Sequence, residues 1–127
     1  MPLIKLCSLN VNGLRDHKKC QTVLTYLTSK CKGVIMLQET HTSVIDEKTW
    51  SDITGAECYF SHGTTDSRGV AIMIPKSLNA TVKNVVPDNE GRFLLIDVMI
   101  NNTSYIILNI YAPTKDKAKQ QVNFLGY

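Results

Sequence analysis

An uninterrupted apolar run, Val34–Leu37, constrains the fold of this chain more than any other feature. A half-exposed strand alternates apolar and polar residues, so an unbroken run predicts a strand that is covered on both faces. The run ends at Gln38 and Glu39, and an acidic side chain therefore follows directly on a buried strand. Because ligand sites of open α/β sheets lie at the carboxyl ends of strands, we expect a functional site at Glu39.

Two further predicted strands also end in polar residues. The first strand of the chain runs into Asn10 and Asn12, and the last one ends at Tyr111, shortly before Thr114. Three strands that each deliver polar groups at one end predict a single site. The two asparagines also have a simpler interpretation, since asparagine stabilises turns through local hydrogen bonds.

The remaining pattern predicts two helices and a series of hairpins. Apolar residues after Asp16 recur at helical spacing, which predicts an amphipathic helix that Asp16 caps and Gly33 ends. Residues 45–53 predict a short second helix, and another helix is expected from Lys115. Turn residues and alternation predict strands at 57–61, 70–74, 81–86, 92–100 and 104–111. This order predicts an α/β (α+β) chain with a mixed, largely antiparallel sheet and flanking helices.

Composition excludes several classes of protein. A chain of 127 residues with 43% hydrophobic and 20% charged residues is long and apolar enough for one globular domain with its own core. The net charge of +3 permits a polyanionic partner without requiring one. No apolar run reaches the length of a membrane helix, so no membrane partner is predicted. The four cysteines show no zinc-binding spacing, and we expect them to be reduced in an intracellular protein.

The residue types at the expected site indicate oxygen ligands. A carboxylate such as Glu39 beside asparagines, without a cluster of His and Cys, suits Mg²⁺ or Mn²⁺. The alternative is a strand-end glutamate that only caps a loop amide. Tyr111 either donates a hydrogen bond to a phosphate or forms an amphipathic rim. His41 and His62 are either acids, bases or ligands, or ordinary loop residues.

Four segments in this order carry a specific resemblance: residues 9–14 (LNVNGL), 37–41 (LQETH), 68–72 (RGVAI) and 108–114 (LNIYAPT). Together they resemble the endonuclease–exonuclease–phosphatase superfamily, and most of all the apurinic-endonuclease-like domain of LINE-type (non-LTR) retrotransposon proteins. The resemblance implies a four-layer α/β sandwich and cleavage of phosphodiester bonds with a divalent metal, usually Mg²⁺. In retrotransposons, this domain nicks target DNA to make a primer for reverse transcription.

The resemblance also implies roles for individual residues. Glu39 matches the metal-binding carboxylate, Asn10 the asparagine near the metal and the phosphate, and Tyr111 the tyrosine that contacts the scissile phosphate. These three form the expected catalytic set, with Glu39 and Asn10 at the metal. The supporting substrate-binding positions of the motifs are Asn12, His41, Asn109 and Thr114. The implied partners are DNA and the reverse transcriptase portion of the same polyprotein, in the nucleus or the cytoplasm.

The sequence departs from the family pattern in one respect. The Gly-Asp-Phe-Asn and Ser-Asp-His motifs, which normally supply the water-activating aspartate and the catalytic histidine, do not occur in it. We therefore expect residues 1–127 to be the N-terminal portion of one incomplete domain, with little or no cleavage activity alone. Two alternatives stay open: a non-catalytic half-domain that acts as a folding or assembly fragment, for example a homodimer through an exposed sheet, and a phosphoinositide or phospholipid phosphoesterase of the same fold.

Overall fold

The structure is a computed structural model that describes residues 4–112, so the expected helix from Lys115 lies outside the described range. Two helices, seven strands and one 3-10 turn fill this range. In chain order they are β1 (Leu6–Asn10), α1 (His17–Lys30), β2 (Val34–Gln38), α2 (Asp46–Thr54), β3 (Glu57–Ser61), β4 (Val70–Ile74), the 3-10 turn (Lys76–Leu78), β5 (Thr81–Pro87), β6 (Phe93–Ile100) and β7 (Thr103–Ile110).

The strands form two sheets. The first sheet has the order β1-β2-β4-β3, with β1 parallel to β2 and the other two pairs antiparallel. The second sheet has the order β5-β6-β7 and is antiparallel throughout. Because β2 runs parallel to β1, the carboxyl ends of these two strands meet at one edge, with Asn10 opposite Gln38.

Strand β2 is covered on both faces, as the apolar run predicted. Ile35 and Leu37 of β2 face the helices, where they join a core that includes Leu24 and Trp50. Val34 faces the second sheet and joins a separate core there. The unbroken apolar run therefore reflects burial between two layers, as the pattern indicated.

The helices form as their sequence patterns predict, with one shifted end. Asp16 caps α1 by accepting a hydrogen bond from the Lys19 amide at 2.8 Å. The helix ends at Lys30, three residues before Gly33. A Cβ atom at Gly33 would collide with the Lys5 carbonyl, so this glycine permits the close approach of β1 and β2. Within residues 4–112, neither helix is long and apolar enough to cross a bilayer.

The layers confirm the predicted fold class. The helices cover one face of the first sheet, and the second sheet packs on its other face through β4, β2 and β3. The molecule is thus α+β, with two mixed or antiparallel sheets in a sandwich. Residues 4–112 supply three of the four layers expected, since no helix in this range covers the outer face of the second sheet.

One prediction about cysteine chemistry is wrong. Cys7 of β1 and Cys31, which follows α1, are joined in a disulfide, with their Cα atoms 6.7 Å apart. The end of α1 returns beside β1, and this distance lies within the range for such bonds. Spacing along the chain gave no sign of the contact, because the fold creates it. Cys20 and Cys58 are free thiols. Because Cys7 and Cys31 are oxidised, the argument from four reduced cysteines to an intracellular location no longer holds.

Candidate active site

The expected site lies where the segments after β1 and β2 run side by side. The amide of Val11 donates to the Gln38 carbonyl at 2.9 Å, and the amide of Gly13 donates to the Glu39 carbonyl at 2.6 Å. The parallel pairing of the two strands continues in this way into the loops beyond them. As a result, the backbone holds Asn10 and Glu39 next to each other.

The side chains of Asn10 and Glu39 are in direct contact. Asn10 Nδ2 donates to Glu39 Oε2 at 2.9 Å, while Asn10 Oδ1 accepts from the Asn12 amide at 2.9 Å. The backbone amide needs an acceptor and the carboxylate needs a donor, which fixes the orientation of the Asn10 amide. Asn10 therefore orients the carboxylate and closes the turn at Asn12. The same side chain thus stabilises the turn and contacts the neighbouring carboxylate, and a role for Asn10 at a metal or a phosphate stays a prediction.

The backbone around Glu39 is held in an unusual conformation. Glu39, His41 and Arg68 have φ angles of 54°, 56° and 62°, in the left-handed region that non-glycine residues rarely adopt. The His41 amide donates to the Arg68 carbonyl at 3.1 Å, and the Thr40 amide donates to the Gly69 carbonyl at 3.1 Å. Such conformations cost of the order of 1–3 kcal/mol each and persist only where surrounding contacts enforce them.

Tyr111 lies next to this strained segment. The residue is half-buried, and its amide donates to the Arg92 carbonyl at 2.7 Å. Burial raises the pKa of the Tyr111 phenol, the charge of Glu39 raises it further, and the charge of Arg68 acts in the opposite direction. The phenol is thus protonated at neutral pH and is a hydrogen-bond donor close to both charges.

The supporting positions are placed differently from one another. Thr114 lies outside residues 4–112. Asn12, with a φ of 50°, is exposed in the turn after β1. The His41 ring packs against Gly13, where a Cβ atom would collide with it, and within the described range its buried Nε2 has no hydrogen-bond partner. A role in substrate binding stays a prediction for all of them.

Asn109 bridges the two sheets. Its Nδ2 donates to the carbonyls of Leu37 at 3.0 Å and Ala71 at 2.8 Å, and its Oδ1 accepts from Gln38 Nε2 at 2.8 Å. Only 2% of the residue is exposed. These bonds tie β7 to β2 and β4, directly behind Glu39. The structure thus shows Asn109 as a positioning residue, and contact with a substrate stays a prediction for it.

A chain of hydrogen bonds that the sequence did not reveal supports the Glu39 segment from behind. His62 Nε2 lies 2.7 Å from Glu47 Oε2, and His62 Nδ1 lies 3.0 Å from Thr42 Oγ1. The Thr42 hydroxyl is in turn 2.9 Å from the Thr40 hydroxyl, and both threonines are buried. The chain links α2 to the residue after Glu39. Nothing in the sequence pairs these residues, because they come from separate loops and a helix.

The donor set fits a cation that keeps most of its water. Within residues 4–112, no three His, Cys, Asp or Glu side chains cluster around a common point. Glu39 is half-buried, and Asn10 engages only one of its two carboxylate oxygens. Mg²⁺ typically takes one or two carboxylates, with water and phosphate as its other ligands. The half-buried Glu39 carboxylate is compatible with Mg²⁺ or Mn²⁺, and a metal role for it stays a prediction.

Comparison with known proteins concerns the fold and the origin of the chain. No protein-family model matches the chain. An uncharacterized 149 kDa protein of transposon TX1 from Xenopus laevis is 32% identical over 111 residues, which is 87% of this chain and 8% of that protein. The chain thus spans a small fraction of this relative.

Three solved structures share the fold. TDP2 from D. rerio, complexed with a single-strand DNA product, matches with a TM-score of 0.68 and 17% identity, over 94% of this chain and 50% of that one. An AP endonuclease from Archaeoglobus fulgidus matches with a TM-score of 0.67 and 23% identity, over 97% of this chain and 48% of that one. ANGEL2, a 2',3'-cyclic phosphatase in complex with adenosine-2',3'-vanadate, matches with a TM-score of 0.63 and 13% identity, over 88% of this chain and 42% of that one.

This chain has the endonuclease–exonuclease–phosphatase fold. The resemblance predicted from the four motifs is thereby confirmed, and the transposon relative supports the predicted LINE-type retrotransposon origin. The chain covers about half of each of these structures. Within this fold, Asn10 lies at the carboxyl end of β1, and Glu39 directly follows the carboxyl end of β2.

Proposed function

We propose that this chain is part of a domain that nicks DNA in a retrotransposon protein, with Mg²⁺ or Mn²⁺ held at Glu39. The observation that carries the proposal is the pairing of Asn10 with Glu39 at the ends of two parallel strands. The DNA-processing structures of the same fold and the transposon relative support DNA as the substrate. This function requires access to target DNA, in the nucleus or the cytoplasm.

Each residue of the site has a defined part in this proposal. Asn10 fixes the rotamer of Glu39, so that one carboxylate oxygen stays available for the cation. Tyr111, protonated at neutral pH, donates a hydrogen bond to a phosphate oxygen and orients the phosphodiester. When bound, the cation would polarise the phosphate and stabilise charge on the leaving oxygen.

The groups that move protons are not assigned to residues 1–127 in this proposal. We propose that these residues are one part of the catalytic domain, and that a further segment of the polyprotein supplies the general base and the histidine. A missing general acid or base lowers a rate by about 10²–10⁴-fold each. Binding of DNA and metal is therefore the property that this chain should retain, while cleavage should be slow or absent.

The test compares DNA binding with and without Mg²⁺. Fluorescence anisotropy of a labelled duplex would be measured with Mg²⁺ and with EDTA, for the wild type, Glu39→Gln and Glu57→Gln. Glu57 is an exposed control at the opposite end of the first sheet, with the same change in charge. We expect Mg²⁺ to strengthen binding by the wild type and Glu57→Gln but not by Glu39→Gln.

Three other results would change the assignment. Equal binding by all three proteins, with or without Mg²⁺, contradicts a metal role for Glu39. Binding to phosphoinositide vesicles in place of DNA favours the phosphoesterase alternative. Nicking of supercoiled plasmid in the same samples, if lost with EDTA and in Glu39→Gln, would show that residues 1–127 suffice for cleavage.

A further inference from the structure

Arg68 is fixed beside the Glu39 segment by the backbone of both. It lies in the turn before β4, and its carbonyl accepts the His41 amide at 3.1 Å. The neighbouring Gly69 carbonyl accepts the Thr40 amide, and the Gly69 amide donates to the Gly91 carbonyl at 3.0 Å. Arg68 thus belongs to the same strained, cross-linked backbone as Glu39, although it is 29 residues further along the chain.

The side chain of Arg68 differs from those of the two other arginines. Arg15 pairs with Asp66 at 2.8 Å, and Arg92 pairs with Asp88 at 2.9 Å. Within residues 4–112, Arg68 forms no ion pair, and its Nε is buried without a hydrogen-bond partner. A buried guanidinium N–H is normally paired, because burial removes its water. An unpaired one at the edge of a candidate active site is a group that lacks its acceptor.

The charge of Arg68 acts on Tyr111, one of the residues of the candidate active site. The charge of Glu39 raises the pKa of the Tyr111 phenol, whereas the charge of Arg68 lowers it, so both charges act on the same hydroxyl. A positive group, a neutral donor and a carboxylate thus surround one region at the ends of β2 and β7. This combination suits an anion that also binds a cation, which is the chemistry of a phosphodiester with its metal ion.

We propose that Arg68 binds a backbone phosphate of the nucleic acid through its guanidinium Nε–H and a neighbouring N–H. The proposal rests on the function proposed above and adds a substrate-binding residue to it. Two parallel N–H donors match two phosphate oxygens, and lysine offers no such fork. The left-handed backbone at residue 68, which lies in contact with Gly63, holds the base of the side chain in one position.

The first measurement is made on the wild-type protein, and a conservative variant serves only to assign one signal. The Nε–H signals of the three arginines can be followed in the ¹H–¹⁵N spectrum of the wild type, and Arg68→Lys identifies the one that belongs to Arg68. Inorganic phosphate and a short single-stranded DNA would be titrated separately, with EDTA present so that metal plays no part. We expect both probes to shift the Arg68 signal and to leave the paired Arg92 signal in place.

The second measurement is affinity. Arg68→Gln should bind the DNA about tenfold or more weakly, on the scale of a lost charge-assisted hydrogen bond. The slope of log K against log salt should also fall by about one, as expected for one phosphate contact. Lys83→Gln removes the same charge from an exposed position on β5, and we expect it to match the wild type in both respects.

The outcomes separate the two proposals. If DNA binds while the Arg68 signal and the affinity of Arg68→Gln stay unchanged, the role of Arg68 is overturned and the DNA function stands. If inorganic phosphate shifts the Arg68 signal but DNA binds neither with EDTA nor with Mg²⁺, the anion site is supported and the DNA function fails. If neither probe binds with EDTA and DNA also fails to bind with Mg²⁺, both proposals are overturned.

Discussion

At the scale of single residues, Glu39 combines an unusual backbone conformation with a carboxylate that is held by a neighbouring side chain. Its backbone is left-handed at a φ of 54°, and its carboxylate is held by Asn10 at 2.9 Å. The energy stored in such a backbone is released if the segment relaxes, so the cross-links to Gly13 and Gly69 are part of the site.

The first prediction concerns the charges around Tyr111. Glu39→Gln removes a negative charge and should lower the pKa of the Tyr111 phenol, whereas Arg68→Gln removes a positive charge and should raise it. The shift can be measured from the ¹³Cζ resonance of Tyr111 during an alkaline titration. Shifts of the same sign in both variants would show that these two charges do not act on the phenol. Because the pKa of Tyr111 is raised above the ordinary value of 10.0, the wild-type phenol should still be mostly protonated and able to donate a hydrogen bond at pH 10.

Sequence reasoning reached some of these residues and missed others for a clear reason. Glu39, Asn10 and Tyr111 follow apolar strands directly, so the strand ends predicted them. Arg68 was recognised only as part of a motif, and the Thr40–Thr42–His62 chain was not found at all. Their partners lie in other loops, and no local pattern encodes contacts of that kind.

At the scale of elements, the turn between β5 and β6 connects the two sheets near the site. Asp88 in this turn exchanges hydrogen bonds with Ser61 at the end of β3, through its amide at 2.9 Å and its carbonyl at 2.6 Å. Its carboxylate accepts from the Arg92 side chain at 2.9 Å and 3.2 Å. The Tyr111 amide is bonded to the same turn, so the turn geometry sets the position of the phenol.

A second prediction follows from the acid at this turn. Hydrogen bonds from Arg92 hold the pKa of the Asp88 carboxyl below its ordinary value of 3.8. A group with a lowered folded-state pKa stabilises the protein above its unfolded-state pKa and loses that effect as the pH falls through the folded-state pKa. Asp88→Asn should therefore reduce the stability measured by urea unfolding at pH 7 but have less effect below pH 3.8. An equal loss at both pH values would contradict this.

A third prediction tests the bridge between the sheets. Asn109→Leu keeps the approximate volume but leaves the Leu37 and Ala71 carbonyls without their donor, so it should reduce the free energy of unfolding by about 1–3 kcal/mol. The exposed Asn84 on β5 provides a control, Asn84→Leu, for which we expect a change within about 0.5 kcal/mol. Similar urea midpoints for the two variants would show that the bridge adds little.

Most elements could be predicted from the sequence, and their contacts could not. The strands at Glu57–Ser61 and Val70–Ile74 match the predicted bounds, because turn residues and Pro75 mark their ends. The end of α1 was misplaced because Gly33 serves strand packing and not helix termination. The Cys7–Cys31 disulfide was missed because it depends on where α1 returns in the fold.

At the scale of the whole molecule, two hydrophobic cores are buried, whereas the outer face of the second sheet exposes apolar side chains. The helices and the two sheets bury both faces of β2 and β4. By contrast, Ile106 and Leu108 on the outer face of β7 are 64% and 47% exposed, and Leu6 on the edge strand β1 is 52% exposed. Ile106 and Leu108 lie two residues apart on one face of β7, and exposed apolar side chains that share a face form a candidate interaction surface.

The fourth prediction is that this surface pairs with a second copy of the chain. Sedimentation at micromolar concentration should show a dimer, and the double variant Ile106→Lys/Leu108→Lys should shift it to a monomer without a change in far-UV circular dichroism. Val44→Lys is a control, since Val44 is 71% exposed in the loop before α2. A monomeric wild type would contradict this prediction, and a further segment of a longer polypeptide would then be the candidate to cover the surface.

The fifth prediction bears directly on the Glu39 site: titration with Mn²⁺, followed by paramagnetic broadening in the ¹H–¹⁵N spectrum. Signals of Asn10, Asn12 and His41 should broaden first in the wild type and in Glu57→Gln, while those of Lys83 and Ser104 should stay sharp. Glu39→Gln should lose this selective broadening. If the same residues broaden equally in Glu39→Gln, or if broadening centres elsewhere, Glu39 does not hold the cation and the proposed function is contradicted.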